Sequence, residues 1–104
     1  MNIKVIKAGD KAELYVDSVS LAGDVAKELK QTAMELMEAG FIELALDLSR
    51  TEYVDSSGVG KILFLQKKLT KLDGSFRITK ISGQLYSFLE SLAITKVMDI
   101  ADPR

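Results

Sequence analysis

The sequence predicts an α/β domain, a mixed β-sheet of about four to five strands with three helices packed against it. Two observations lead there. Strand-like and helix-like patterns alternate from residue 41 onward. The 104 residues, 47% hydrophobic and 28% charged, supply one core rather than two. With no Trp, three Tyr and four Phe, that core is aliphatic.

The elements follow in order. "IKVIK" (3–7) and "AELYV" (12–16) alternate apolar and polar residues around the Gly-Asp turn "AGDK", so they read as an antiparallel hairpin. Residues 23–40 place Val25, Leu29, Thr32, Ala33, Leu36 and Met37 on one helical face, with Asp24 near the start and Gly40 as the stop. "FIELALDL" (41–48) is a dense apolar run, the pattern of a central strand covered on both faces. From Val59 to Leu72, apolar residues Val59, Ile62, Leu65, Leu69 and Leu72 recur at helical spacing, and Gly74 is the expected stop. "SFRITKI" (75–81) alternates as a strand, and 83–94 form a short helix bearing Leu85, Phe88, Leu89 and Leu92. "KVMDI" (96–100) is a last short strand, after which "ADPR" is expected to fray. Met34, Met37 and Met98 are expected to fill core gaps.

Composition excludes several function classes. The chain contains no His and no Cys. A Ser-His-Asp or Cys-His relay is therefore impossible, as is a zinc site built on those ligands. Net charge is −1, with Lys and Arg spread along the chain, which argues against nucleic acid. No apolar segment reaches the ~18 residues that span a bilayer, and "MNIKVIKAGDK" lacks a secretory h-region. A single cytoplasmic domain over 1–104, with no membrane contact, is the expectation.

One turn invites chemistry: "TEYVDSSGVGK", Thr51 to Lys61, between the central strand and the second helix. Its bland reading is a helix cap. Asp55 or Ser56 is a sound N-cap, and Gly58 and Gly60 would let the turn approach the sheet. Sharper readings fail on spacing. A Walker A loop needs Gly where Asp55 stands and Ser or Thr where Ile62 stands. A dinucleotide fingerprint needs a third glycine at Leu63. A serine nucleophile has Asp55 beside it but no general base. What survives is a serine that receives a phosphoryl group from a partner. At a helix start the free amides and the positive dipole end tolerate a phosphate, which adds a charge of about −1.5 to −2.

"LALDLSRTEYVDSSGVGKILFLQKKL" and then "DGSFRITKISGQLYSFLESLAI" resemble the STAS domain of bacterial anti-sigma-factor antagonists over roughly Phe41 to Ile100. D-L-S, D-S-S-G-x-G, a glycine-led strand and L-x-x-L-x-I occur in the family's order. The resemblance implies a partner-switching regulator, not an enzyme. Ser56 maps to the phosphoacceptor, Asp55 to the acidic residue before it, and Ser57 to a neighbour that is Ser or Ala in relatives. Gly58 and Gly60 complete the motif. The implied partners are a serine kinase acting as anti-sigma factor, of the histidine-kinase-like ATPase fold, and a PP2C-type phosphatase. The unphosphorylated chain binds the kinase, and phosphorylation ends the interaction. ATP and metal belong to those partners, so no cofactor is expected here. The controlled output is transcription or another process such as biofilm formation.

The N-terminal third departs from the pattern. Relatives carry G-x-L-D where this chain has "DSVS": Asp17 replaces Gly, Val19 replaces Leu and Ser20 replaces Asp. Asp24 is a candidate for the missing carboxylate, or a solvated helix-start charge. Further candidate partner contacts are Tyr53, Val54, Val59, Lys61 and Leu63. Tyr53 and Val54 read equally as strand-end packing, and Lys61 as a solvated lysine. Leu63, off the main apolar stripe, is the better exposed anchor of the second helix. Thr51 is either a second modification site or an ordinary loop threonine. The alternative functions are a small nucleotide or lipid binder using the same turn, and a structural subunit of a signalling assembly.

Overall fold

The computed structural model describes residues 1–104. Strands β1 (Ile3–Ala8) and β2 (Lys11–Val16) form the expected antiparallel hairpin, in register from Ile3↔Val16 to Ala8↔Lys11. Gly9, at φ +64°, makes the turn between them. A two-residue strand β3 (Ser20–Leu21) leads into helix α1 (Gly23–Glu38), and β4 (Glu43–Leu48) follows. The short β5 (Tyr53–Val54) precedes α2 (Ser56–Lys71), then β6 (Ser75–Ile81) and α3 (Gly83–Ser91). A 3₁₀ turn at Ile94–Lys96 and β7 (Asp99–Ile100) complete the chain.

The main sheet has five strands in the order β1-β2-β4-β6-β7, with β1 antiparallel and the others parallel. β4 is its centre, as its apolar run predicts. The parallel steps β2→β4→β6→β7 all move the same way across the sheet. Right-handed crossovers therefore place all three helices on one face.

Burial agrees with that topology and corrects one expectation. Ala12, Leu44 and Phe76 share one register row, and Leu14, Leu46 and Ile78 the next. All six are buried in the core. The rows between them carry Glu13, Ala45 and Arg77, and then Tyr15, Asp47 and Lys80. β4 is thus covered by helices on one face only. Ala45 is small enough to make its run look apolar, and Asp47, although buried, pairs with Lys80 on the open face. A register shift after Leu46 passes over Thr79, so that Asp47 faces Lys80 and Leu48 faces Ile81. That bulge returns Ile81 to the core face.

The helices bury most of the expected stripes: Leu29, Ala33 and Leu36 on α1, Ile62, Leu65 and Leu69 on α2, and Leu85 and Leu89 on α3, while Leu72, Phe88 and Leu92 are exposed. Ala26 joins the α1 stripe, while Val25 and Met37 are only partly buried at its margins. Met98 is buried, and Met34 packs on the core edge.

Four local expectations change. After α2 the left-handed residue is Asp73 (φ +59°), not Gly74. Gly74 is required for space, because a Cβ there would lie 2.1 Å from the Ile42 carbonyl oxygen. The third helix stops at Ser91, and Ala93 (φ +61°) turns the chain into the 3₁₀ segment. β7 is two residues, shorter than 96–100. The C-terminal tail is held rather than frayed. The Ala101 N–H donates to the Ile78 carbonyl at 2.9 Å. Arg104 lies 4.6 Å from the Tyr86 ring centroid and pairs with Glu90 at 3.2 Å.

Candidate functional site

Asp55 ends the extended backbone of β5 and is the N-cap of α2, with φ −87° and ψ −178°. Its Oδ1 accepts from the Gly58 N–H at 2.8 Å, satisfying one free amide of the first turn. The same oxygen accepts from the Ser57 hydroxyl at 2.7 Å. These bonds hold the Asp55 carboxyl below the usual carboxylate range: the Ser57 hydroxyl contributes most, then the Gly58 N–H, with a smaller pull from Lys61. Ser56 takes no part in the cap. It is the first helical residue and is exposed.

The turn is anchored by a segment that lies far from it in sequence. β3 and β5 pair in parallel, Ser20↔Tyr53 and Leu21↔Val54, as a separate two-stranded sheet. The Glu52 N–H donates to the Val19 carbonyl at 2.7 Å, and the buried Thr51 hydroxyl donates to the Ser18 carbonyl at 2.9 Å. α2 then closes on this segment at Gly58, where a Cβ would meet the Leu21 carbonyl oxygen at 2.2 Å and Val54 Cγ1 at 2.7 Å. Gly58 is there because no side chain fits. Gly60 has open space around it and does not mediate close approach, contrary to expectation.

The model places the remaining candidates unequally. Tyr53 is 57% exposed and Ser20 partly exposed beside it in the short sheet. Val54 is buried at 1% exposure and is strand packing, not a surface contact. Val59 and Leu63 are both partly buried against the core, so Leu63 is no free anchor; Phe64 is the exposed apolar residue of α2. Thr51 is bonded and inaccessible, which removes it as a modification site. Asp24 is exposed in the first turn of α1, where its charge suits the helix dipole, and no bond joins it to the Ser56 turn. Lys61 is partly exposed on α2 and lines a groove against α1.

A family model described as "Mlab, STAS domain" matches residues 10–99. The chain belongs to the STAS family. None of the curated proteins matches its sequence. Among solved structures, this STAS domain is similar to a Thermotoga maritima protein assigned as an anti-sigma factor antagonist (19% identity, TM-score 0.84, 96% of this chain and 86% of that one). An anti-sigma factor antagonist from Mycobacterium paratuberculosis superposes with TM-score 0.81 at 19% identity, over 98% of this chain and 85% of that one. The Bacillus anti-sigma factor antagonist SpoIIAA is 14% identical and superposes with TM-score 0.79 in its unphosphorylated form, over 97% of this chain and 89% of that one. Its phosphorylated form superposes with TM-score 0.73 over 97% and 92%. At these identities the likeness is one of fold.

Sequence reasoning missed part of what supports the STAS turn. Asp17 pairs with Lys4 at 3.1 Å and bonds Arg50, tying the end of β2 to the end of β4. Those two cations hold its carboxyl below the usual range. Asp47 of the D-L-S stretch accepts from the Ser49 N–H at 2.8 Å and shapes the exit from β4. The only sequence signal for the Asp17 contacts was opposite charge at distant positions. β3 and β5 are too short to leave any periodicity. No group of three or more acidic residues converges to hold a metal ion, and no helix is long and apolar enough to cross a membrane.

Proposed function

We propose that this STAS domain is a non-enzymatic binding module whose partner choice is set by phosphorylation of Ser56. The observation that carries this reading is the inequivalence of the two serines: Ser57 is committed to Asp55, while Ser56 is exposed at the first helical position. A hydroxyl there can receive a phosphoryl group from an external donor. It has no base of its own with which to act as a nucleophile on substrates. The phosphate adds a charge of about −1.5 to −2 next to the Asp55 carboxylate. The N-terminal amides and dipole of α2 offset part of that repulsion, so the fold persists while the surface changes sign. That SpoIIAA, of like fold, exists in both unphosphorylated and phosphorylated forms supports such a switch.

In this reading the unphosphorylated domain binds a serine kinase of the histidine-kinase-like ATPase fold, which acts as an anti-sigma factor or an equivalent regulator. Phosphorylation releases it, and a PP2C-type phosphatase resets the cycle. Tyr53 and Ser20, beside the turn, are contacts for that partner. Phosphate mapping by tandem mass spectrometry on the chain recovered from its native host tests the assignment. Phosphate on Ser56 is the expected result. A chain modified on Ser57 instead, or never modified while its regulated output changes, contradicts it.

A further inference from the structure

The fold gathers lysines that the sequence scatters. Lys27 and Lys30 on α1 and Lys61 on α2 line a groove of about 650 Å³ between the two helices. Phe64, 39% exposed, touches one of its lining residues, with Lys30 Nζ 4.3 Å from the ring centroid. Phe64 also lines a second depression with Lys67, Lys68, Lys71 and the exposed Leu72. None of these lysines forms an ion pair; the salt bridges of the chain use Lys4, Lys80, Arg50, Arg77 and Arg104. A chain of net charge −1 thus holds six of its 14 cationic residues, none in a salt bridge, in two depressions on α1 and α2.

We propose that the α1–α2 groove docks an acidic amphipathic segment of a partner protein, with its carboxylates on these lysines and an apolar side chain on Phe64. Charge complementarity steers such a segment, and the aromatic ring anchors it. An anionic membrane fits less well, because a flat headgroup surface cannot enter a groove between two helices, whereas a segment can seat its carboxylates on the lysines and keep clear of Glu35 and Glu38. This surface goes beyond the Ser56 switch, since it needs no modification to form.

The test titrates the isotope-labelled full chain with three probes, followed by NMR. They are a synthetic Glu/Leu amphipathic helical peptide, the same peptide with every Glu replaced by Lys, and phosphatidylglycerol vesicles. The Glu/Leu peptide is expected to saturate, with shifts confined to α1 and α2, and to weaken as salt rises. Phe64→Ala and the pair Lys67→Glu with Lys68→Glu are each expected to weaken it about tenfold. Lys68→Gln serves if the double charge reversal loses its dispersed spectrum. Equal binding of the Lys peptide, shifts elsewhere, or binding of vesicles but not of the Glu/Leu peptide overturns the proposal. None of those results bears on whether Ser56 is phosphorylated, so the two readings fail separately.

Discussion

The Ser57 hydroxyl donates to Asp55 Oδ1 at 2.7 Å, and that contact separates two serines that look alike in the sequence. The cap uses Ser57 and leaves the Ser56 hydroxyl exposed. Under the proposed switch, structural and switching roles fall on neighbouring serines, and that division has measurable consequences.

Ser57→Ala removes a hydroxyl that Asp55 uses, and is expected to lower stability by about 0.5–1.5 kcal/mol. Ser56→Ala removes an exposed hydroxyl outside the cap and is expected to stay within about 0.5 kcal/mol of the native chain. Urea denaturation followed by circular dichroism measures both. Equal losses would show that the two serines share the cap.

The same cap should respond to acid. Because the Asp55 carboxyl is depressed in the folded chain, the unfolded chain takes up its proton first as pH falls. The cap's contribution is full above the unfolded pKa of about 3.9 and is lost as pH falls through the lower folded value. Asp55→Asn, which still caps a helix, is expected to make the urea midpoint less steep in pH over that window. Asp17 and Asp102, also depressed, preserve the remaining slope. An unchanged slope would mean that Asp55 does not carry the cap.

The two motif glycines are expected to respond with opposite signs. Gly58→Ala forces a Cβ to 2.2 Å from the Leu21 carbonyl oxygen, and is expected to cost about 1–3 kcal/mol or to loosen the short β3–β5 sheet. Gly60→Ala meets nothing within 4 Å in a helix, and is expected to stabilise by about 0.5–1 kcal/mol. Thermal midpoints of the two variants decide the matter.

A similar contrast holds after α2. Gly74→Ala drives a Cβ to 2.1 Å from the Ile42 carbonyl oxygen and is expected to destabilise strongly. Asp73→Gly relieves a left-handed non-glycine residue and is expected to be neutral or mildly stabilising. If the two variants melted alike, the assignment of the turn residue would be wrong.

Much of this was legible in the sequence, for physical reasons that can be named. Period-2 and period-3.6 patterns gave the hairpin, β6 and the three helices, and the dense apolar run gave β4. Residue type and position narrowed the cap to Asp55 or Ser56, and the bond from the Gly58 N–H assigns it to Asp55. What stayed hidden depends on tertiary contact. Val54 read equally as a partner contact or strand-end packing and Thr51 as a loop threonine, yet both are buried beside the β3–β5 pairing. Gly58 and Gly60 were indistinguishable until the Leu21 carbonyl was placed beside only one of them. The run 41–48 looked doubly buried because Ala45 reads as apolar while lying on the open face. The lysines of α1 and α2 are dispersed in sequence and meet only across a helix pair.

The central claim is that charge at Ser56 decides partner binding without unfolding the domain. Immobilised Ser56→Ala and Ser56→Asp chains, exposed to lysate of the native host, can be compared by quantitative mass spectrometry. Both chains should show the same folded spectrum, and an ATPase of the histidine-kinase-like fold should be enriched at least about tenfold on the Ala chain, a difference of about 1.4 kcal/mol in binding. Equal recovery of the same partners on two folded chains would contradict the claim.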